Sequence, residues 1–122
     1  MSLIALAGSE AKLADARAHG AAHAFNSRAD GWVEKVRAAT GGRGVDVVFD
    51  GVGKATFEAS LDCLRPRGLM VSFGNASGPV TGINLSMLQL RGSLYVTRPT
   101  SGSYYGDREG LRRTMEAVFE AV

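Results

Sequence analysis

The sequence is poor in the residues whose chemistry is easiest to read. It has one cysteine, two histidines, one tryptophan and three prolines in 122 residues. The lone thiol, Cys63, cannot close an internal disulfide or supply a cysteine-rich zinc lobe, and nothing calls for an oxidising compartment; the cytoplasm is the expected location. Basic and acidic residues nearly balance, 14 against 12, and the basic ones are scattered, so neither nucleic acid nor a membrane surface is an expected partner. Met1 to Ala7 is too short for the apolar core of a signal peptide, and no apolar run approaches the roughly 20 residues of a membrane span. No glycine-rich phosphate loop precedes the first apolar run, and no repeat, low-complexity tract or linker divides the chain. What remains, 45% hydrophobic and 21% charged, suits one globular core, a single domain or a piece of one.

Short β-type runs alternate with helical ones. Leu3 to Ala7 is a compact apolar run, followed by Gly8-Ser9 and a helix that should end at Gly20, where glycine suits a left-handed C-cap. His23 to Phe25 is a second strand, and Trp32, Val33 and Val36 give helical spacing before Gly41 and Gly42. Val45 to Asp50 is nearly continuous and β-branched, as in a parallel strand covered on both faces. Phe57, Leu61 and Leu64 share a helical face, and Arg65-Pro66 is expected to end that helix. Leu69 to Phe73 is the next strand, stopped by Gly74. A short amphipathic turn from Met87 to Leu90 leads to a strand over Ser93 to Thr97. Asp107 can cap a last helix with a core stripe of Leu111, Met115, Val118, Phe119 and Val122. Strands separated by helical segments imply an α/β layered fold with parallel strands and right-handed crossovers.

Ligands of such sheets bind beyond the carboxyl ends of the strands. After the first strand come Gly8, Ser9 and, one helical turn on, Lys12. A hydroxyl and an ammonium there can hold the adenosine 2′-phosphate that distinguishes NADP from NAD. The same residues also fit a plain helix cap and a solvated lysine, with Glu10 close by. After the third strand, Gly51-Val52-Gly53 lacks the side chains that would keep a ribose or nicotinamide from the backbone. It is not a Walker loop, because Ala55 follows Lys54, nor the dinucleotide fingerprint, because Thr56 stands where the third glycine belongs. Phe73-Gly74-Asn75 and the turn formers Ala76 to Pro79 lie at the same edge, where a surface turn is the competing reading. Arg98-Pro99 leads to a loop with Tyr104 and Tyr105, suited to a substrate rim, a dimer contact or packing. His19 and His23 read as surface or packing residues, Trp32 and Cys63 as core.

Several blocks together resemble a known family. Gly41-Gly42-Arg43-Gly44-Val45-Asp46-Val47-Val48, Asp50-Gly51-Val52-Gly53, Ser60-Leu61-Asp62-Cys63-Leu64-Arg65-Pro66-Arg67-Gly68, Val71-Ser72-Phe73-Gly74 and Gly92-Ser93-Leu94-Tyr95-Val96-Thr97-Arg98-Pro99 resemble, in order and spacing, the NADPH:quinone oxidoreductases. These are the zeta-crystallin-like, zinc-independent branch of the medium-chain dehydrogenases/reductases. The resemblance implies that Ser9 and Lys12 bind the 2′-phosphate, that Gly51, Val52 and Gly53 line the cofactor, and that Phe73 and Gly74 meet its nicotinamide end. The family's Asn-Tyr-Arg corner is Asn26-Ser27-Arg28 here; the aromatic contact is lost and Arg28 keeps a cation nearby.

The resemblance also implies that residues 1–122 form a partial nucleotide-binding domain. Relative to the family this is an incomplete Rossmann-like doubly wound parallel sheet, lacking the first strand, its glycine-rich loop and the N-terminal substrate domain. In the usual strand order the first strand lies between Leu3 to Ala7 and Val45 to Asp50, so two inner edges are left to pair directly or to self-associate. The implied activity is hydride transfer from NADPH to a quinone or related unsaturated carbonyl, with this chain inactive alone and dimerising through Ser93 to Thr97. No catalytic acid, catalytic base or metal ligand is identified. Two alternatives stay open: a non-catalytic NADP-binding or structural module, and part of an alcohol dehydrogenase or enoyl reductase of the same superfamily.

Overall fold

The computed structural model describes residues 1–122, and strand and helix alternate along most of them. The order is β1 (Ile4–Ala7), α1 (Glu10–Ala18), β2 (His23–Asn26), α2 (Trp32–Ala39), β3 (Val45–Asp50), α3 (Phe57–Asp62), β4 (Leu64–Ser72), α4 (Ser86–Leu90), β5 (Tyr95–Thr97), α5 (Ser101–Tyr105) and α6 (Arg108–Ala121). The punctuation is local. Ser9, in extended backbone, starts α1 by accepting the Lys12 N–H at 3.5 Å. Gly20, at φ +98°, turns the chain out of the helix. Asp107 caps α6 by accepting the Gly110 N–H at 2.7 Å.

All strand pairs are parallel, and they form two sheets rather than one: β1 with β2, and β3-β4-β5 in that order. The expectation that β1 and β3 close on each other by direct pairing is therefore not met. Helix α2 links the two parts. It packs on β2 and on α3 together, and Arg37 from its last turn donates to the carbonyls of Asp62 at 3.0 Å and Leu64 at 3.4 Å. β1 and β3 each keep one edge unpaired.

The core lies on one face of the larger sheet, where Phe57, Leu61, Leu64, Met70 and Leu94 pack together. On the opposite face Phe49 and Tyr95 stay 73% and 63% exposed. The anticipated core stripe of α6 is likewise uncovered: Leu111, Met115, Val118 and Phe119 are all exposed, and the helix packs on α5. An amphipathic pattern identifies a helix with a face to bury, not its partner.

Two boundaries differ from the sequence expectation. Leu64 is not the last turn of α3 but the first residue of β4, paired with Val45. The helix must stop at Asp62 because the Cys63 carbonyl accepts the Val45 N–H at 2.9 Å and so enters the sheet. Pairing then jumps from Val45–Leu64 to Val47–Leu69, and the intervening bulge accommodates Pro66 and the positive φ of Arg67, 58°. Ser93, also at φ 58°, is a turn residue before β5, and Phe73 lies just past β4. Residues 101–105, expected as loop, form the short α5.

Candidate functional site

The carboxyl ends of the strands carry two corners, one on each sheet. At the first, Ser27 donates its N–H to the Ala7 carbonyl at 3.0 Å, tying the exit of β2 to that of β1. The Asn26 side chain accepts the Arg28 N–H at 2.9 Å and turns the chain back. The Arg28 side chain then lies across Gly8, where a Cβ would fall 2.8 Å from its Nε. Ser9 sits at the N-terminus of α1; its oxygen accepts from Lys12 N–H, and its hydroxyl proton stays available to donate. Lys12 is one turn into the helix and exposed.

The structure thus brings Ser9 and Arg28 to one corner, with Lys12 on the adjoining turn. The helix cap foreseen for Ser9 is real, and it coexists with a free hydroxyl donor. A hydroxyl, an ammonium and a guanidinium at the positive end of a helix form a donor set that fits a phosphomonoester. A cleft of about 360 Å3 is lined in part by Arg28 and Trp32; Arg28 is the one cation in its lining, against Asp30, Glu34 and Asp62. Three carboxylates make that cleft a poor anion site, which leaves the Ser9 side as the one suited to phosphate.

The second corner is built on Asp50, a residue that reading the sequence did not single out. It ends β3 and is 4% exposed. One carboxylate oxygen accepts the N–H groups of Val52 at 2.8 Å and Gly53 at 2.9 Å. The other accepts the hydroxyls of Thr56 at 2.6 Å and Ser60 at 2.8 Å. Burial pushes the carboxyl up, but these four hydrogen bonds together outweigh it and hold Asp50 below the usual carboxylate range. The available signal was an aspartate ending an apolar strand, followed by Thr56 and Ser60 one helical turn apart.

Gly51 to Gly53 then packs on the loop after β4. The Gly51 and Val52 carbonyls accept the N–H groups of Ala76 at 3.2 Å and Ser77 at 2.8 Å. Ser77 Oγ accepts the Ala55 N–H at 2.9 Å, and the Gly78 carbonyl accepts that of Lys54 at 3.1 Å. The glycines serve this loop-on-loop contact. A Cβ on Gly74 would collide with the Gly51 backbone, and one on Gly53 would come within 2.7 Å of the Gly78 carbonyl. Arg98, at the exit of β5, donates to the carbonyls of Ser72 at 3.0 Å and Gly74 at 3.2 Å and braces the same loop.

With the N–H groups of residues 52–55 all committed, this corner cannot cradle an anion. It presents instead an apolar surface: Phe73 is 55% and Val52 42% exposed. A flat ring lying against backbone and apolar side chains fits there. His19 and His23 are exposed, His19 with Nδ1 2.9 Å from the Asp15 carbonyl and His23 stacked on Phe25. Trp32 is half-buried. Cys63 is buried, and burial pushes its thiol up to about 12.

The pattern of the zinc-binding dehydrogenase family matches residues 1–120. The quinone oxidoreductase of Salmonella typhimurium is 52% identical over 98% of this chain and 37% of its own length. The 2-haloacrylate reductase of a Burkholderia species is 41% identical over 99% of the chain and 37% of its own. Among solved structures, Escherichia coli quinone oxidoreductase complexed with NADPH superposes with a TM-score of 0.92 at 47% identity, covering 99% of this chain and 37% of that one. The chain spans a little over a third of the length of these relatives. The metal in the family's description does not fit the donors present, since no three His, Cys, Asp or Glu side chains converge. The chain belongs to the zinc-binding dehydrogenase family.

Proposed function

We propose that this chain is the cofactor-binding part of an oxidoreductase that transfers a hydride from NADPH to a quinone or a related unsaturated carbonyl. The observation that carries the reading is the corner of Ser9, Lys12 and Arg28, whose donors suit the 2′-phosphate of NADPH. Gly51, Val52, Gly53, Phe73 and Gly74 receive the nicotinamide end on their apolar surface. The bound dinucleotide supplies the hydride; the chain's own residues hold and orient it, and no acid or base among them is assigned to the chemistry. The Burkholderia relative, by its name a reductase of 2-haloacrylate, supports widening the acceptor from quinones to unsaturated carbonyl compounds.

A cytoplasmic location belongs to the same proposal, on the reduced lone thiol Cys63. So does a homo-oligomer formed at the free edge of β5, where Tyr95 and Val96 are exposed. The cofactor reading is tested by calorimetry on Lys12→Ala and Arg28→Ala. Each should weaken NADPH roughly 3- to 10-fold, as expected for losing one phosphate contact. NADH affinity should not change in either variant. Equal losses for both cofactors would contradict a 2′-phosphate role.

A further inference from the structure

Asp50 carries a full negative charge in the interior, and none of its partners is a cation. The four groups that satisfy it are two backbone N–H groups and two hydroxyls, all neutral. Arg98, which reaches the loop after β4, spends its guanidinium on the carbonyls of Ser72 and Gly74 and on the Asn75 side chain. Neutral donors delocalise such a charge without cancelling it, and its field in a low-dielectric interior extends to whatever lies on the adjacent surface. That surface is the exposed side of Val52, whose N–H is bonded to Asp50 Oδ1 at 2.8 Å, and of Phe73, whose N–H donates to the Asp50 carbonyl at 2.9 Å.

A hydrogen-bonded carboxylate could serve the loop's shape alone, and an asparagine would do that nearly as well. Its carbonyl oxygen accepts the two N–H groups, and its amide donates to the hydroxyls of Thr56 and Ser60 once these rotate. What asparagine does not reproduce is the charge. We infer that Asp50 is an electrostatic positioning residue that favours the oxidised, positively charged nicotinamide over the reduced one at the Val52–Phe73 surface. This rests on the proposed placement of the nicotinamide end at Gly51–Gly53 and Phe73–Gly74. The ring gains one positive charge when NADPH gives up a hydride, so a fixed negative charge behind it stabilises the product form of the cofactor.

The test compares the affinity of the chain for NADP+ and NADPH, by calorimetry, in wild type and Asp50→Asn. The wild-type preference for NADP+ over NADPH should fall in Asp50→Asn by a factor on the order of 10, equivalent to about 1.4 kcal/mol. Ser60→Ala is the second variant. It leaves the carboxylate charged but takes away one donor, so the ratio should move the other way, toward NADP+, by a smaller factor. General damage to the loop would weaken both cofactors together and leave the ratio unchanged. Should Asp50→Asn lose its helical circular dichroism, the direction of the Ser60→Ala shift decides. Ratios equal to wild type in the folded variants overturn the inference while leaving the cofactor reading in place. Failure of the wild type to bind either form overturns the cofactor reading and the inference with it.

Discussion

Asp50 and Ser60, ten residues apart in the chain, meet in a buried 2.8 Å hydrogen bond that joins the end of β3 to the inner face of α3. With Thr56 on the same carboxylate oxygen and Val52 and Gly53 on the other, this contact fixes the loop that follows the strand. The loop's shape thus depends on one carboxylate.

Replacing Asp50 with alanine strands four donors, of which the Gly53 N–H and the Ser60 hydroxyl are buried, and should cost about 3 kcal/mol of unfolding free energy. Asparagine should cost about 1 kcal/mol, since it can still bond to both sides. Urea titrations of the two variants check the order; equal losses would mean the hydrogen bonds are not what the carboxylate contributes.

The carboxyl of Asp50 lies below its ordinary value in the folded chain, although burial opposes this, because its hydrogen bonds favour the charged form. A lowered folded value means the stabilisation is complete above the unfolded pKa, about 3.9, and is lost as the pH falls through the folded one. Wild type should therefore lose stability faster than Asp50→Asn as the pH falls below about 4. The decline in the variant should shrink rather than vanish, because Asp46, bonded to Arg43 and Arg65, and Glu109, bonded to Arg112, are also held below their usual range. Midpoints of thermal melts across that window provide the measurement, and parallel curves would speak against Asp50 as the group responsible.

Much of this architecture was legible in the chain. Continuous β-branched runs such as Val45 to Asp50, and capping residues such as Ser9 and Asp107, act locally, so strands and helix starts follow from them. Leu64 was misplaced because helical spacing runs on past the point where the Cys63 carbonyl is captured by β3, a contact from eighteen residues upstream. The stripe of α6 predicted a core-facing helix, and its apolar face is exposed instead. Ser9 and Lys12 were visible as residue types after a strand, and Arg28 only through the resemblance to the Asn-Tyr-Arg corner. Asp50 was not, because its importance comes from four partners that only folding assembles.

Gly74→Ala and Gly51→Ala should separate. A Cβ on Gly74 meets the rigid backbone of Gly51, whereas one on Gly51 meets the Phe73 ring at 2.9 Å, and that exposed ring can swing away. The first substitution should cost about 3 kcal/mol and the second about 1 kcal/mol or less. Denaturant midpoints for both would show it; the reverse order would mean the two loops do not pack as described.

Cys63 should be silent in the folded chain. Its thiol is 2% exposed and pushed up to about 12 by burial and the nearby Asp62, so little thiolate forms at neutral pH. Reaction with an aromatic disulfide reagent should proceed only at the rate of unfolding. Rapid labelling under native conditions would place Cys63 outside the core.

Val96→Pro should lower the solution mass measured by light scattering if chains associate along β5, because proline removes a donor and stiffens the edge. An unchanged mass would remove that edge from the proposed assembly.

Whether this chain holds a phosphorylated dinucleotide is asked most directly by calorimetric titration with NADPH, with NADH as the comparison. Saturable binding that favours NADPH is the predicted result, and would make Ser9, Lys12 and Arg28 a working phosphate corner. Equal affinity for the two cofactors, or no binding of either, would contradict it.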